Sequence, residues 1–425
     1  MVRQVSYDSG VTWISLDEYQ KGDLYENDSP DCGGGITQYK WVNVSGEYTC
    51  VGTTKYQKTK KQQSTDGGQT WTDVNPPEYN TGAVIETESS DCGGGSGYEN
   101  QYLTLVARGS GSFGGIGHNK TYQYSKDEGY TWVNATSATS ISVINGERVM
   151  FKGTLTNNNY YGVGRFSATT QFEAEGNPMS LVYGDDFRGK TSLVGTHGFL
   201  SLFQGCTTLT NINNLKLIAT TLVDGCYERM FEGCTSLTSI PNGFLPATTL
   251  IDFCYQYMFD DCTSLINIPS GLLLATTLAH ACYEHMFARC TSITTAPSLP
   301  ATTLAEQCYE SMFAGCTSLT TAPSLPATTL AGGCYWGMFG GCTSLTTAPV
   351  LSATTLAIMC YNYMFGGCTR LNYVKCLATD ISASYCTTSW LENVSSSGTF
   401  VKASSMSGWT RGTSGIPTNW TVQNA

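Results

Sequence analysis

The sequence lacks the features that would carry a lipid or nucleic-acid partner. None of its 425 residues fall in a run approaching the ~20 apolar residues of a bilayer-spanning helix. The N-terminal "MVRQVSYDSGVTW" has no apolar core of the kind a secretory leader needs. Lys and Arg total 22 against 33 Asp and Glu, a net charge of −11. With no basic stripe, a nucleic-acid partner is not expected, because phosphate binding requires clustered cations. The one lysine cluster, "KYQKTKK" from Lys55 to Lys61, is expected at a solvated strand edge. Charged residues make up only 13%, too few for a chain kept open by its own charge.

Residues for chemistry are equally sparse. The four histidines are His118, His197, His280 and His285, and no nucleophile with an oriented base can be assembled around them. No CxxC pair occurs, and His280 and His285 flank Cys282 at one place only, so a zinc site is not expected. "GSGSFG" (Gly109 to Gly114) fits GxGxxG, but "GIGHNKTYQYS" follows it where a dinucleotide fold needs a helix. The acid pairs Asp185-Asp186 and Asp260-Asp261 are expected in solvated turns. No catalytic residue, cofactor or metal is expected.

The sequence does have 46 glycines, 25 tyrosines and 18 cysteines, a composition that leans toward strands and turns. Fifteen cysteines lie between Cys206 and Cys386 and follow a repeat. Cys206, Cys234, Cys262, Cys290, Cys316, Cys342 and Cys368 are separated by steps of 28, 28, 28, 26, 26 and 26. A fixed period in this range predicts a solenoid, whose copies bury their apolar sides only by stacking. The consensus is L-P-A-T-T-L-A-x-x-C-Y-x-x-M-F-x-G-C-T-S-L-T-T-A-P. Longer copies read "IPNGFLP" or "IPSGLLL" where shorter ones read "APSLP", so the insertion is placed at a rim turn. Leu304, Cys308, Met312 and Phe313 are spaced to point inward from one short helical turn. "TSLTTAP" reads as a short strand ending at proline. The two cysteine columns are expected to be buried free thiols, since each would otherwise compete for two neighbours.

The unit "MFxGCTSLTTA" resembles the "AFxxCxxLxxI" core of BspA-like leucine-rich repeats in bacterial surface proteins. The resemblance spans Phe187 to Cys386, although the nearly invariant "ATTL" departs from the family. After it, the period breaks, and Trp390, Trp409 and Trp420 are expected to close the last coil. That ending resembles one found after such repeats in proteins of gut Bacteroides and their phages.

Upstream, "SYDSGVTW" (Ser6 to Trp13), "STDGGQTW" (Ser64 to Trp71) and "SKDEGYTW" (Ser125 to Trp132) share a hairpin-turn chemistry. Asp and Ser bind local amides, Gly takes positive φ, and Trp packs beneath. The motif resembles the Asp-box of sialidases, where it is mainly structural, but the arginine cluster of a sialidase is missing. "DCGGG" recurs at Asp31 and Asp91, as a module end would. The expected fold is therefore mainly β, with tandem small β-modules followed by the leucine-rich-repeat solenoid and a cap. The segments are a partial module over 1–35, modules over 36–95 and 96–186 (the latter sandwich-like), the solenoid over 187–386 and the cap over 387–425. The partial module could anchor the chain by strand addition or pair locally with the next.

Copies differ mainly in the dipeptide after "CY", from Glu228-Arg229 to Asn362-Tyr363. Tyr257, Trp336 and Tyr363 are the expected ligand anchors, with Arg229 and His285 beside them, on one outward surface suited to sugar rings. A column free to vary because nothing constrains it is the alternative. The missing leader, the tandem modules and the resemblance to gut-phage proteins together imply a bacteriophage virion appendage, a head or tail fibre. It would contact other virion proteins through its N-terminal modules and a host-surface glycan or protein through its solenoid. A BspA-type cell-surface adhesin is the alternative reading, and a carbohydrate-active enzyme a more remote one. Oligomeric state is left open.

Overall fold

A computed structural model describes residues 97–116, 122–154 and 162–425, together with seven strands upstream of them. With 22% strand against 3% helix, the protein is mainly β. It divides into two compact units, Met1–Asn100 and Gln101–Ala425.

In the first unit, β1 (Gln4–Val5) pairs antiparallel with β2 (Ile14–Ser15). A second sheet runs β3 (Glu26–Asn27), β4 (Gln38–Val51), β5 (Thr54–Ser64) and β6 (Thr72–Asp73), with β7 (Tyr79–Glu86) also on β5. Lys55 to Lys61 therefore do not form an edge. They lie on β5, which has β4 on one side and β7 on the other, pairing Lys55 with both Cys50 and Glu86. The first Asp-box apart from its flanks, most of the second, both "DCGGG" segments and His118 fall outside the described residues, as do the side chains of Cys32, Cys50 and Cys92.

The second unit opens with two facing sheets. The strands are β8 (Leu103–Ala107), β9 (Gly111–Gly114), β10 (Tyr122–Ser125), β11 (Val133–Ala135), β12 (Ser140–Val143), β13 (Arg148–Gly153), β14 (Ser167–Ala168), β15 (Phe172–Glu175) and β16 (Leu209–Asn211). One sheet is ordered β11-β10-β13-β8-β15-β16 and the other β12-β9-β14. Phe113 of β9 meets Phe172 of β15 across the gap at 5.6 Å. Within the smaller sheet the last glycine of "GSGSFG" admits the adjacent strand: a Cβ on Gly114 would collide with the hydroxyl of its β14 partner Ser167. At the third Asp-box, Gly129 N–H donates to Ser125 Oγ (2.9 Å) and Thr131 N–H to Asp127 Oδ1 (2.9 Å). Gly129 has φ +87°, and Trp132 packs edge-on against Tyr102 at 4.9 Å.

β16 belongs to the first repeat, so the sheet module passes into the repeats through a parallel pair, β15 with β16. Each repeat then folds as a spiral of turns, and no helix forms. Every second N–H closes a turn within its own copy: Cys308, Glu310, Met312, Ala314 and Cys316 donate three residues back. The N–H groups between them, on Gln307, Tyr309, Ser311, Phe313 and Gly315, donate to Gly332, Cys334, Trp336, Met338 and Gly340 of the next copy. Sustaining this alternation puts every fourth residue in the left-handed region, here Gln307 (φ 56°), Ser311 (φ 50°) and Gly315 (φ 74°). A non-glycine residue there costs about 1 kcal/mol or more, which accounts for glycine before most of the second-column cysteines.

A four-residue spiral shares its i, i+4 spacing with a helix, so the inward set agrees with expectation. Cys308, Tyr309, Met312, Phe313 and Cys316 are buried; Leu304 is only partly so. The expected "TSLTTAP" strand reduces to single parallel bridges, such as Thr295 with Thr321. Two columns of rings run through the core. Phe203, Phe231, Phe259, Phe287, Phe313, Phe339 and Phe365 stack at 5.2–5.9 Å, with planes within 11° of parallel. Tyr227, Tyr255, Tyr283, Tyr309, Tyr335 and Tyr361 stack at 5.7–6.2 Å. These spacings exceed the ~4.8 Å backbone separation of paired strands, so the rings are offset, the arrangement their quadrupoles favour.

All fifteen repeat cysteines are free and buried. In the second column Cys234, Cys262, Cys290, Cys316, Cys342 and Cys368 each donate S–H to a phenylalanine carbonyl of the previous copy at 3.0–3.2 Å. Burial pushes these thiols up, away from the reactive thiolate. In the copy reading "IPNGFLP" the insertion carries a left-handed Gly243 (φ +66°), but it does more than turn the chain. Phe244 enters the core between Phe231 (6.0 Å) and Phe259 (6.4 Å).

The ladder of inter-copy bonds runs on past Cys386, where the sequence pattern ends. β17 (Tyr373–Cys376), β18 (Thr399–Lys402) and β19 (Thr421–Asn424) form a parallel sheet in that order. Trp390 stacks on Tyr361 at 6.1 Å and Trp409 on Trp390 at 5.4 Å, ending the ring column. Trp420 is buried and donates Nε1–H to the Ser395 carbonyl at 2.8 Å.

The ring columns make an asymmetric prediction for one copy. Phe313→Asp places an unpaired charge among stacked rings and should cost several kcal/mol. The Tyr309 hydroxyl is buried and has no partner among the described residues. Tyr309→Phe should therefore leave the denaturation midpoint unchanged or raise stability by about 1 kcal/mol. A midpoint lowered as much by Tyr309→Phe as by Phe313→Asp would contradict this packing.

Candidate functional site

Each repeat presents three variable dipeptides, one per turn of the spiral, each ending in a left-handed residue. In the fifth copy they are Glu306-Gln307, Glu310-Ser311 and Ala314-Gly315. Inter-copy bonding aligns each dipeptide with its counterpart, so residues 26 or 28 apart form columns.

Arg229, Tyr257, His285 and Tyr363 share one column, in which Ser311 and Gly337 separate His285 from Tyr363. Trp336 does not share it. It falls one residue earlier, in the column of Glu284, Glu310 and Asn362. The five expected anchors thus separate into two clusters.

In the first cluster the aromatic faces are occupied. The Arg229 guanidinium lies 4.1 Å over the Tyr257 ring. The His285 imidazole stacks on the same ring at 4.6 Å, with planes 10° apart. Arg229 Nη1 also donates to Glu232 at 2.8 Å. Burial, then the Arg289 and Arg229 charges, push His285 down to about 4, so its imidazole is neutral at pH 7. Burial raises Glu284 and Glu310 above the usual carboxylate range, and the proximity of Glu284 adds to the rise at Glu310. The expected outward aromatic strip is absent here because Arg229 and His285 cover the Tyr257 ring.

Asp260 also departs from expectation. Its side chain is 1% exposed, with Oδ2 accepting from Arg289 Nη2 at 2.5 Å. Oδ1 is buried with no hydrogen-bond partner among the described residues. Burial, outweighing the Arg289 guanidinium, pushes the carboxyl up to about 7. Asp185 is exposed as expected, but its carboxylate accepts from Lys152 Nζ (2.8 Å) and Tyr102 Oη (2.6 Å).

The second cluster has free surface. Trp336 lines an open notch of about 180 Å³ together with Glu306, Gln307, Gly333 and Ile358. Two glycines make it. Gly332-Gly333 stand where neighbouring copies carry Glu306-Gln307 and Ile358-Met359. A Cβ on Gly332 would lie 3.2 Å from Ile358 Cγ2, and one on Gly333 3.4 Å from Gln307 Cγ. The copy that brings the tryptophan therefore also removes the side chains that would crowd it. One copy on, Tyr363 is 42% exposed, its ring laid against the bare backbone of Gly366 and Gly340. Glu306, Gln307, Gly332 and Gly333 were open to detection in the sequence, since the dipeptide before each first-column cysteine varies as much as the one after it.

No family model matches the chain, and neither a curated protein nor a solved structure matches it.

Asp260 gives this face a pH signature. A carboxyl raised from its ordinary 3.8 to about 7 keeps a proton in the folded state that the unfolded chain has released. Its stabilisation is complete below the ordinary value and is lost as pH rises toward 7. Urea titrations from pH 4 to 8 should show wild type losing about 4 kcal/mol more than Asp260→Asn across that window. Parallel pH profiles would show that Asp260 titrates normally.

Proposed function

We propose that this chain is a non-enzymatic attachment protein whose repeats form a leucine-rich-repeat solenoid of the BspA-like type. It binds a host-surface glycan at the Trp336 notch and forms part of a bacteriophage appendage, a head or tail fibre. The N-terminal modules attach it to other virion proteins.

The observation that carries the binding reading is the pairing of Trp336 with two glycines beside it. Sugar rings bind by laying an apolar face on an indole while polar neighbours take up the hydroxyls. Glu306 and Gln307 supply those neighbours on one wall, and the exposed Tyr363 continues the aromatic surface into the next copy. A notch held open by missing side chains needs no rearrangement to admit a ring, which lowers the cost of binding. Tyr257 and His285 support the face by stacking, and Arg229 by covering Tyr257; none of the three is an anchor in this reading.

Trp336→Ala in the full chain should weaken binding to intact host cells and to arrayed host-surface glycans by tenfold or more, with melting unchanged. That loss is typical of a hot-spot aromatic, about 1.4 kcal/mol or more. Undiminished binding would remove the notch from the account. Recovery of the chain with the cell envelope, and not with purified phage particles, would favour the adhesin.

A further inference from the structure

One junction between copies carries a donor set that the others lack. Glu284 and Glu310 occupy the same position in successive copies, and His285 adjoins Glu284. One ligand atom from each of Glu284, His285 and Glu310 lies within 4.8 Å of the others, and all three side chains are partly buried.

Two carboxylates this close, partly shielded from water, repel each other when both are charged, and either a proton or a bound cation between them relieves the repulsion. No arginine is salt-bridged to these two carboxylates: Arg229 pairs with Glu228 and Glu232, and Arg289 with Asp260, while Arg229 faces Glu284 and His280 faces both carboxylates at longer range. An independent observation concerns the imidazole. His285 Nδ1 is buried and has no hydrogen-bond partner among the described residues. A buried ring nitrogen is ordinarily paired, and a neutral imidazole nitrogen beside two carboxylates can take a metal ion as that partner.

The three side chains are also held from behind. Gln256 Nε2 donates to Glu284 Oε2 at 2.7 Å, and Gln307 Nε2 to Glu310 Oε2 at 2.7 Å. The Tyr257 ring fixes the imidazole plane by stacking. Such outer contacts orient ligands before a metal arrives.

We propose that Glu284, His285 and Glu310 form a binding site for a divalent transition cation with the preferences of zinc. One imidazole and two carboxylates suit that class, whereas calcium and magnesium require six or more oxygens. Three protein ligands leave one coordination position open. The cation would join two copies at the face that carries the notch, and Gln307 touches both, since it holds Glu310 and lines the notch. The site does not depend on the proposed glycan reading.

The test is cobalt(II) titration of the metal-free, reduced full chain, followed by visible absorption and repeated with zinc by calorimetry. Cobalt reports its ligands, because thiolates add an intense near-ultraviolet charge-transfer band that imidazole and carboxylate do not. We expect one equivalent bound without that band. Glu310→Gln and His285→Ser, the latter taking the residue that the next copy carries as Ser311, should each weaken binding at least tenfold. Without metal, Glu310→Gln should melt like wild type, and His285→Ser, which gives up the stacking on Tyr257, slightly below it while still folding cooperatively. No stoichiometric uptake, a thiolate spectrum, or unchanged affinity in both variants would overturn the proposal.

Discussion

Half of the backbone hydrogen bonds in each spiral of turns are completed by the neighbouring copy, and the rest of the repeat structure follows from this. An N–H left unpaired in a core costs 1–3 kcal/mol, and a repeat cut off from its neighbour would strand those of Gln307, Tyr309, Ser311, Phe313 and Gly315. A single copy is therefore not a folding unit. The ends need other solutions. Strand β15 meets the first repeat in a parallel pair, and the sheet β17-β18-β19 with Trp390 and Trp409 closes the last.

This alternation also explains the residue types. Keeping the alternation puts every fourth residue, whose N–H donates to the next copy, in left-handed geometry, so glycine recurs before the second-column cysteines. Where Asp261 and Arg289 replace it at φ 58° and 57°, Arg289 recovers part of the cost by pairing with the buried Asp260. Ring stacking and S–H donation to phenylalanine carbonyls fill the interior between successive backbones. The cysteine is small enough for the inner column, and its S–H shares a carbonyl that already accepts a backbone N–H in its own copy. The same restriction confines variation to the outward dipeptides.

Much of this was legible in the sequence. The steps of 28 and 26, the inward Met-Phe pairs and the buried thiols follow from spacing and residue type alone. The spiral was not legible, because i, i+4 spacing suits both a helix and a four-residue run of turns. Only glycine in the "GC" unit hints at left-handed backbone, and Gln307 and Ser311 give no sign of it. At the candidate site, the varying positions were visible but their surfaces were not. Tyr257 looked like an anchor until its neighbours 28 residues away on either side, Arg229 and His285, proved to cover it. Trp336 is the first residue of its varying dipeptide and Tyr257 the second of its own, a difference that decides which side chains meet, and the notch beside Trp336 depends on side chains missing from Gly332 and Gly333. Lys55 to Lys61 were placed on an edge by their charge, which says nothing about which strands pair on either side.

The most direct test of the hydrogen-bond account is to remove chain in units of the repeat. Deleting residues 313–338, one 26-residue copy, joins Met312 to Phe339 in register and restores every acceptor. Deleting residues 313–325, half a copy, removes less chain but misaligns donors and acceptors on both sides. Urea denaturation of the two proteins should show the in-register deletion unfolding in one cooperative transition near the wild-type midpoint, and the half-copy deletion collapsing or losing that transition. Equal tolerance of both deletions, or failure of the in-register one to fold, would contradict the account.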